Sequence, residues 1–158
     1  MPGPRVSEVA ARLEKGMLKT QERFSSLSAE GWRAQVYDGP PPWMVRDLAA
    51  HFYSAEVHLL LMARDVAAGG PGVAEGFDYD GFNGKEQLRL AGMAPQEVLA
   101  SLTQARAETI EFARALSEEQ LDLVGRHPAL GMVSLEVMLI AIYGHQLMHM
   151  REAMARVG

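Results

Sequence analysis

The chain has 158 residues, of which 48% are hydrophobic and 22% are charged, a composition typical of a globular protein that buries a core. Its net charge of −5 leads us to exclude a nucleic-acid partner, because phosphate groups are bound by basic surfaces. Cysteine is absent, which excludes disulfides, thiolate metal sites and a cysteine nucleophile.

No segment of the sequence predicts contact with a membrane. The longest wholly apolar run, Val137 to Tyr143, has seven residues, whereas a membrane-spanning helix needs about 20. The first residues lack the apolar stretch of a secretory signal. We therefore expect one domain, residues 1–158, in the cytoplasm and without a membrane partner.

The first helix is predicted from apolar residues that recur about every 3.6 positions, with Ser7 as its candidate cap. Its apolar stripe consists of Val6, Val9, Ala10, Leu13, Met17, Phe24 and Leu27. Residues 28–42 follow, and they contain two glycines and three consecutive prolines. That composition predicts a connection.

The second helix is predicted to begin near Pro42 and to end before Gly69. Its inward stripe consists of Met44, Leu48, His51, Ala55, His58 and Met62. Residues 69–94 are rich in glycine and aromatic side chains. Loops of this length are uncommon and are often functional, so we expect a pocket-lining loop with one short helix near Lys85 to Leu90.

The third helix is predicted to begin at Pro95, and residues 117–120 match the Ser-x-x-Gln form of a capping box. The last helix is predicted from Ser134 to about Arg156. Its first half, Leu135 to Tyr143, is apolar nearly all round, which predicts a central helix or one covered by another subunit. Four long helices joined by medium loops predict an all-α four-helix bundle.

Two histidines one helical turn apart, His145 and His149, are the best functional clue. Residues four apart share a helix face, so both imidazoles can converge on one metal ion. His51 lies on an earlier helix that could face them, whereas His58 lies about 10 Å further along that helix, too far to share the ion with His51. His127 is most simply a surface or loop histidine. Core histidines without a metal remain the alternative.

Several familiar motifs are absent from the sequence. The pair reads His-Gln-Leu-Met-His, so the glutamate of the His-Glu-x-x-His metalloprotease motif is missing. No glutamate stands three residues before a histidine, as a ferritin-like di-iron bundle requires. The Gly-x-Ser-x-Gly elbow of serine hydrolases is also absent. Haem ligation by one histidine stays open.

The segment Trp43-Met44-Val45-Arg46-Asp47-Leu48-Ala49-Ala50-His51, followed much later by His145-x-x-x-His149, resembles the DinB-like (YfiT-like) superfamily of metal-dependent enzymes. The resemblance runs over nearly the whole chain and includes Asn83 in the aromatic-containing segment. It implies a four-helix bundle that binds a divalent metal, most often zinc, nickel or iron, through His51, His145 and His149. It also implies a homodimer and, in characterised relatives, the activation of a low-molecular-weight thiol such as mycothiol or bacillithiol.

One position departs from part of the family. Relatives that resemble the mycothiol-dependent maleylpyruvate isomerases carry a carboxylate at the position of His145. Three neutral histidines leave the charge of a divalent metal uncompensated, which favours ionisation of a bound thiol or water. An isomerase substrate is therefore not implied for this chain.

The leading hypothesis is a thiol S-transferase in which the metal activates a small thiol for attack on a small-molecule electrophile. Asp47 lies one turn before His51 and is predicted either to orient that ligand or to serve only as a first-turn helix acid. The residues predicted to line the pocket, or otherwise to pack, are Tyr143, Asn83, Phe82 and Tyr79.

Three alternatives remain open at the level of sequence. The same metal could activate water in a hydrolase. The bundle could bind a small molecule without catalysis. It could also be a dimerisation module built on the apolar stretch that contains Val137 and Ile140, with coincidental histidines.

Overall fold

The computed structural model of the chain describes residues 1–157. Within that range the four bundle helices are α1 (Pro4–Ser25), α3 (Val45–Ala67), α5 (Pro95–Arg114) and α6 (Leu135–Val157). Two shorter helices, α2 (Ala29–Arg33) and α4 (Tyr79–Leu90), and a 3-10 turn at Gln120–Asp122 lie in the connections. Helices α1 and α3 each pack against both α5 and α6, so they face each other across the bundle. The predicted all-α four-helix bundle is confirmed.

Proline begins two of the bundle helices. Pro4 and Pro95 occupy the first turn of α1 and of α5, where the missing N–H group would have had no helical partner. Helix α1 therefore starts before Ser7, the predicted cap. The amide of Ser7 donates to the carbonyl of Gly3 at 2.9 Å, as an ordinary bond of the first turn.

Two short hairpins lie outside the bundle helices, and the first of them begins in the connection predicted at residues 28–42. Strand β1 (Gln35–Tyr37) pairs antiparallel with β2 (Trp43–Met44), and β3 (Val124–His127) pairs antiparallel with β4 (Gly131–Ser134). Because β2 occupies residues 43–44, α3 begins at Val45 and not near Pro42. Strands this short have too few side chains for a period-two pattern to stand out in the sequence.

Helix α4 is longer than the short helix predicted near Lys85 to Leu90. It spans twelve residues, and the side chain of Asp78 caps it by accepting the N–H of Gly81 at 3.0 Å. At its other end the guanidinium of Arg46, on α3, donates to the carbonyls of Leu90 and Met93. The predicted loop therefore contains a twelve-residue helix that hydrogen-bonds to α3.

The apolar core consists of two clusters separated by a buried polar layer. One cluster contains Val6, Leu13, Val66, Leu116 and Leu139, and the other contains Phe24, Trp32, Phe52, Leu102 and Ala153. In the layer between them, Arg106 on α5 donates to both carboxylate oxygens of Glu56 on α3, at 2.7 and 2.9 Å. Gln146 on α6 donates to the same carboxylate at 2.9 Å. The layer fixes three bundle helices relative to one another.

The apolar first half of α6 is central, as the sequence predicts. Leu135, Met138 and Leu139 are fully buried in the core, whereas Val137 is 43% exposed. Within residues 1–157 no helix combines the length and the apolar character that crossing a membrane requires.

Candidate metal centre

Three histidine side chains from two helices meet near one end of the bundle. His51 lies in the second turn of α3, and His145 and His149 lie one turn apart in α6. The Nε2 atom of His145 is 3.5 Å from Nε2 of His51 and 3.1 Å from Nε2 of His149. Each ring offers one nitrogen, and the three nitrogens lie within 4.8 Å of one another.

This spacing fits a single metal ion. Nitrogen ligands of a tetrahedral zinc lie about 2.0–2.1 Å from the ion, and therefore about 3.4 Å from each other. The two measured separations, 3.1 and 3.5 Å, lie on either side of that value. A zinc ion held by three such nitrogens would keep one coordination position open, as catalytic zinc sites do and structural ones do not.

Burial favours the neutral form of two of the rings. Burial and the neighbouring histidines lower the pKa of His51 to about 3. Burial, with His149 and His127 nearby, lowers the pKa of His145 to about 4. Because an imidazole binds a metal through an unprotonated nitrogen, both rings are ready to act as ligands at neutral pH.

Tyr37, on strand β1, fixes the orientation of the third ring. Its hydroxyl lies 2.6 Å from Nδ1 of His149 and donates to Glu152 at 2.7 Å. Burial and the bond to Glu152 raise the pKa of Tyr37, so the hydroxyl keeps its proton. That proton points to Glu152, so the hydroxyl oxygen accepts Nδ1–H of His149. The lone pair of His149 is then on Nε2, which faces the other two rings.

Aromatic side chains surround the three rings. The Trp43 ring on β2 lies 5.4 Å from the His51 ring, measured between centroids. The Phe52 ring lies 6.3 Å from the rings of both His145 and His149. Apolar walls lower the local dielectric constant and strengthen electrostatic interactions within the site. Trp43 belongs to the sequence motif, whereas Tyr37 carries no signal in the sequence that points to the histidines.

The sequence leaves two roles open for Asp47, and the structure shows it as a first-turn helix acid and not as a partner of His51. One carboxylate oxygen accepts the N–H of Met44 at 2.9 Å, and the other accepts from Arg46 at 3.2 Å. Both carboxylate oxygens therefore accept hydrogen bonds from groups at the start of α3. The group that hydrogen-bonds a histidine of the cluster is Tyr37, on His149.

The four predicted pocket residues do not gather around the histidines. Tyr143 packs against Gly16 of α1, where an added Cβ would approach its ring to 2.4 Å. Phe82 packs on His58, with ring centroids 4.6 Å apart, while Tyr79 is 45% exposed and Asn83 is half-buried on α4. Three of these residues lie on α4, which forms within the predicted loop, and Tyr143 faces α1.

The two remaining histidines differ in their surroundings. His58 shares its helix face with His51, but its Nε2 bonds to Glu86 on α4 at 2.9 Å and it lies outside the cluster. His127 is only 8% exposed and is the last residue of strand β3. The prediction of a surface or loop histidine is wrong there, because the hairpin packs on α3 and α6 and covers the ring.

The sequence matches the profile of the DinB superfamily over residues 12–153. This chain belongs to the DinB superfamily. The family resemblance seen in the sequence is confirmed. No curated protein matches the sequence significantly.

Two solved structures are similar to this DinB protein. YfiT from Bacillus subtilis, described as a probable metal-dependent hydrolase with an unusual four-helix bundle topology, matches with a TM-score of 0.77 and 16% identity. The match covers 98% of this chain and 87% of YfiT. The colibactin self-resistance protein ClbS matches with a TM-score of 0.70 and 12% identity over 94% of each chain. At such identities the likeness establishes the fold alone.

ClbS corrects one expectation about partners. Its structure was solved in complex with double-stranded DNA, so the exclusion of nucleic acid from the net charge of −5 is wrong. Net charge sums over the whole surface, whereas a protein contacts phosphate groups through a local part of it. An acidic chain of this fold therefore cannot be separated from nucleic-acid binders by its charge.

Proposed function

We propose that this protein is a divalent-metal-dependent enzyme in which His51, His145 and His149 bind the metal. The observation that carries the proposal is the convergence of three Nε2 atoms at 3.1 and 3.5 Å. Membership of the DinB superfamily and the description of YfiT as a probable metal-dependent hydrolase support it. Zinc, nickel and iron all suit imidazole ligands, and three imidazoles do not choose among them.

The proposed reaction is the transfer of a small thiol to an electrophile. A divalent metal at this site supplies a Lewis acid that lowers the pKa of a thiol bound to it. The chain has no cysteine, so the sulfur must come from a separate molecule. A carbon–sulfur bond forms, the bond to the leaving group breaks with its electron pair, and the thiol proton passes to solvent.

The residues of this chain have separate tasks in that reaction. The three histidines hold the metal through neutral nitrogens, so no ligand cancels the positive charge that favours a thiolate. Tyr37 and Glu152 hold the His149 ring in place. Trp43 and Phe52 exclude water from one side of the cluster.

Elemental analysis tests the metal site. We expect about one equivalent of metal in the tag-free protein and a large loss in His149→Ala. His58→Ala is the matched control, because His58 lies on the same helix face as His51 but outside the cluster. Equal metal content in the parent and in His149→Ala would overturn the ligand assignment.

A coupled assay tests the reaction. Metal-loaded protein is mixed with chlorodinitrobenzene and with mycothiol, bacillithiol or glutathione. We expect conjugation that depends on one of these thiols and disappears after chelation. A rate equal to the uncatalysed one with every thiol would overturn thiol transfer.

Hydrolysis is the second candidate, and the description of YfiT favours it. The same site would then activate water in place of a thiol. Metal-dependent cleavage of 4-nitrophenyl acetate without any thiol would support hydrolysis, and its absence would exclude hydrolysis of such an ester.

A further inference from the structure

We propose that helix α1 binds the phosphate backbone of double-stranded DNA through a row of cations on its exposed side. This row, the basic stripe, consists of Arg12, Lys15, Lys19 and Arg23, and all four residues are exposed. The proposal is independent of the proposed function, because α1 contributes no residue to the histidine cluster. A protein without metal would still bind DNA through this helix.

The spacing of the four cations places them on one side of α1. They follow one another at intervals of three, four and four residues. At about 100° per residue they fall within about 80° of the helix circumference, and at about 1.5 Å per residue they span about 16 Å. The side of α1 that carries Val6, Leu13 and Phe24 is buried in the core. The basic stripe therefore faces solvent along its whole length.

Most of the basic stripe is free to bind a ligand. Arg12 pairs with Glu8, one turn earlier in α1, at 2.8 Å. Within residues 1–157, no ion pair engages Lys15, Lys19 or Arg23. Three exposed cations within about two and a half turns of one helix repel each other, and an external anion relieves that repulsion.

The surroundings of the basic stripe add little negative charge. Glu22 is exposed on the same side of α1, whereas Glu14 pairs with Arg114 of α5. On the other flank Tyr143 of α6 packs against α1, and α6 has no acidic or basic residue from Val137 to Met150. Four cations therefore outnumber the two carboxylates beside them, although the whole chain carries a net charge of −5.

The density of positive charge on α1 suits a strand of DNA. One strand of B-DNA carries a phosphate about every 3.4 Å along the helix axis, so a length of about 16 Å presents about five phosphates. The four cations of the basic stripe occupy the same length. A duplex is also straight over this distance, as α1 is. Contacts to phosphates carry no sequence information, so we expect binding that does not depend on the DNA sequence.

An anionic membrane fits the basic stripe less well. Helices that lie on membranes insert an apolar face among the lipids and keep their cations at the level of the headgroups. The apolar side of α1 packs in the core of the bundle. Helix α1 could insert only if the bundle opened, whereas it can contact a duplex as it stands.

Anisotropy of a fluorescein-labelled duplex of about 20 base pairs, measured with tag-free protein at several salt concentrations, tests the proposal. We expect a Kd of about 1–100 µM at about 50 mM salt, and a slope of log K against log salt of about −3.6 for four phosphates. Lys19→Gln should bind about 10-fold more weakly at that salt and reduce the slope by about 1. The matched control is Lys85→Gln, an exposed lysine on α4, which packs against α3 across the bundle from α1.

A second substitution should act in the opposite direction. Glu8→Gln removes the carboxylate that pairs with Arg12, so this variant should bind the duplex more tightly than the parent does. Glu75→Gln makes the same change in net charge at an exposed position before α4 and should leave the affinity unchanged. An increase in affinity keeps the test decisive even if Lys19→Gln folds poorly.

Equal effects of Lys19→Gln and Lys85→Gln, or of Glu8→Gln and Glu75→Gln, would overturn the role of α1. So would a parent that leaves the duplex free at about 100 µM protein and about 50 mM salt. Sedimentation with phosphatidylglycerol vesicles tests the other partner, and we expect the protein to stay in the supernatant. Vesicle binding that Lys19→Gln weakens, with the duplex left free, would assign the basic stripe to a lipid surface and overturn DNA binding.

Discussion

At the scale of single residues, Tyr37 connects the histidine cluster to the rest of the protein. Its hydroxyl accepts from His149 and donates to Glu152, so one side chain fixes the tautomer and the direction of a proposed ligand. Groups of this kind raise the basicity of the ligand and limit its rotation. The metal affinity should therefore depend on a residue that does not touch the metal.

Replacing Tyr37 by Phe removes the hydroxyl and leaves the ring. We expect the metal affinity to fall about 10- to 100-fold, because His149 loses its hydrogen-bond partner. Competition with a chromophoric chelator measures the change. Tyr79→Phe is the control, since Tyr79 is exposed on α4. An affinity equal to that of the parent would show that His149 needs no support from Tyr37.

The histidine cluster could be predicted from the sequence, whereas the residues that support it could not. A spacing of four residues places His145 and His149 on one helix face whatever the tertiary structure, and the family motif adds His51. Tyr37 lies 112 positions from His149 and reaches it only through a two-stranded hairpin. Asp47 satisfied the spacing rule for orienting His51, but its carboxylate bonds to the nearby backbone of Met44.

At the scale of elements, Glu86 fastens α4 to α3. Its carboxylate accepts from Ser54 and His58 on α3, at 2.9 Å each, and from Arg89 on its own helix at 2.7 Å. The hydrogen bonds from Arg89, then those from Ser54 and His58, lower the pKa of Glu86 to about 2. The charged form is therefore the one that holds the two helices together.

Replacing Glu86 by Gln should lower the free energy of unfolding at pH 7 by about 1 kcal/mol, because the amide is a weaker acceptor than the carboxylate. Because folding lowers the pKa of Glu86, its charged form stabilises the fold fully at pH values above its ordinary pKa of 4.5. This stabilisation is lost as the pH falls towards 2. Urea unfolding at pH 7 and pH 3 should therefore show a smaller difference between the two proteins at pH 3. A difference that stays constant would mean that the charge of Glu86 does not contribute.

Helices and strands could be predicted from the sequence where they were long. Apolar periodicity located all four bundle helices within a few residues, because twenty or more positions repeat one pattern. The hairpins and the first half of α4 were missed. Their strands have two to four residues, and α4 contains two glycines and little apolar periodicity in its sequence, Tyr-Asp-Gly-Phe-Asn-Gly.

At the scale of the whole molecule, the histidine cluster lies beside the polar layer. Gln146, next to His145 in α6, donates to Glu56, which follows His51 by five residues in α3. Arg106 holds the same carboxylate from α5. These buried bonds connect α3, which carries His51, to α6, which carries the other two histidines, and to α5.

Neutral buried histidines make the stability of the metal-free protein depend on pH. The pKa values of His51 and His145, lowered to about 3 and about 4, lie below the ordinary value of 6.5 that these groups regain on unfolding. At pH values between these folded and unfolded pKa values, the unfolded chain binds protons that the folded chain does not. The stabilisation that the two neutral rings provide is therefore fully present above pH 6.5 and is lost as the pH falls. Two such groups give a slope of at most about 2.7 kcal/mol per pH unit.

Urea unfolding of the metal-free protein between pH 7 and pH 4.5 measures this slope. The double variant His51→Leu/His145→Leu removes both titrating groups, so its stability should fall less steeply over the same interval even if its stability at pH 7 differs from that of the parent. Groups remote from the two rings contribute equally to both proteins, so the difference in slope reports the two histidines together with their coupling to His149. Equal slopes would mean that the folded chain accepts these protons as readily as the unfolded one, and that the rings are not held neutral for a metal.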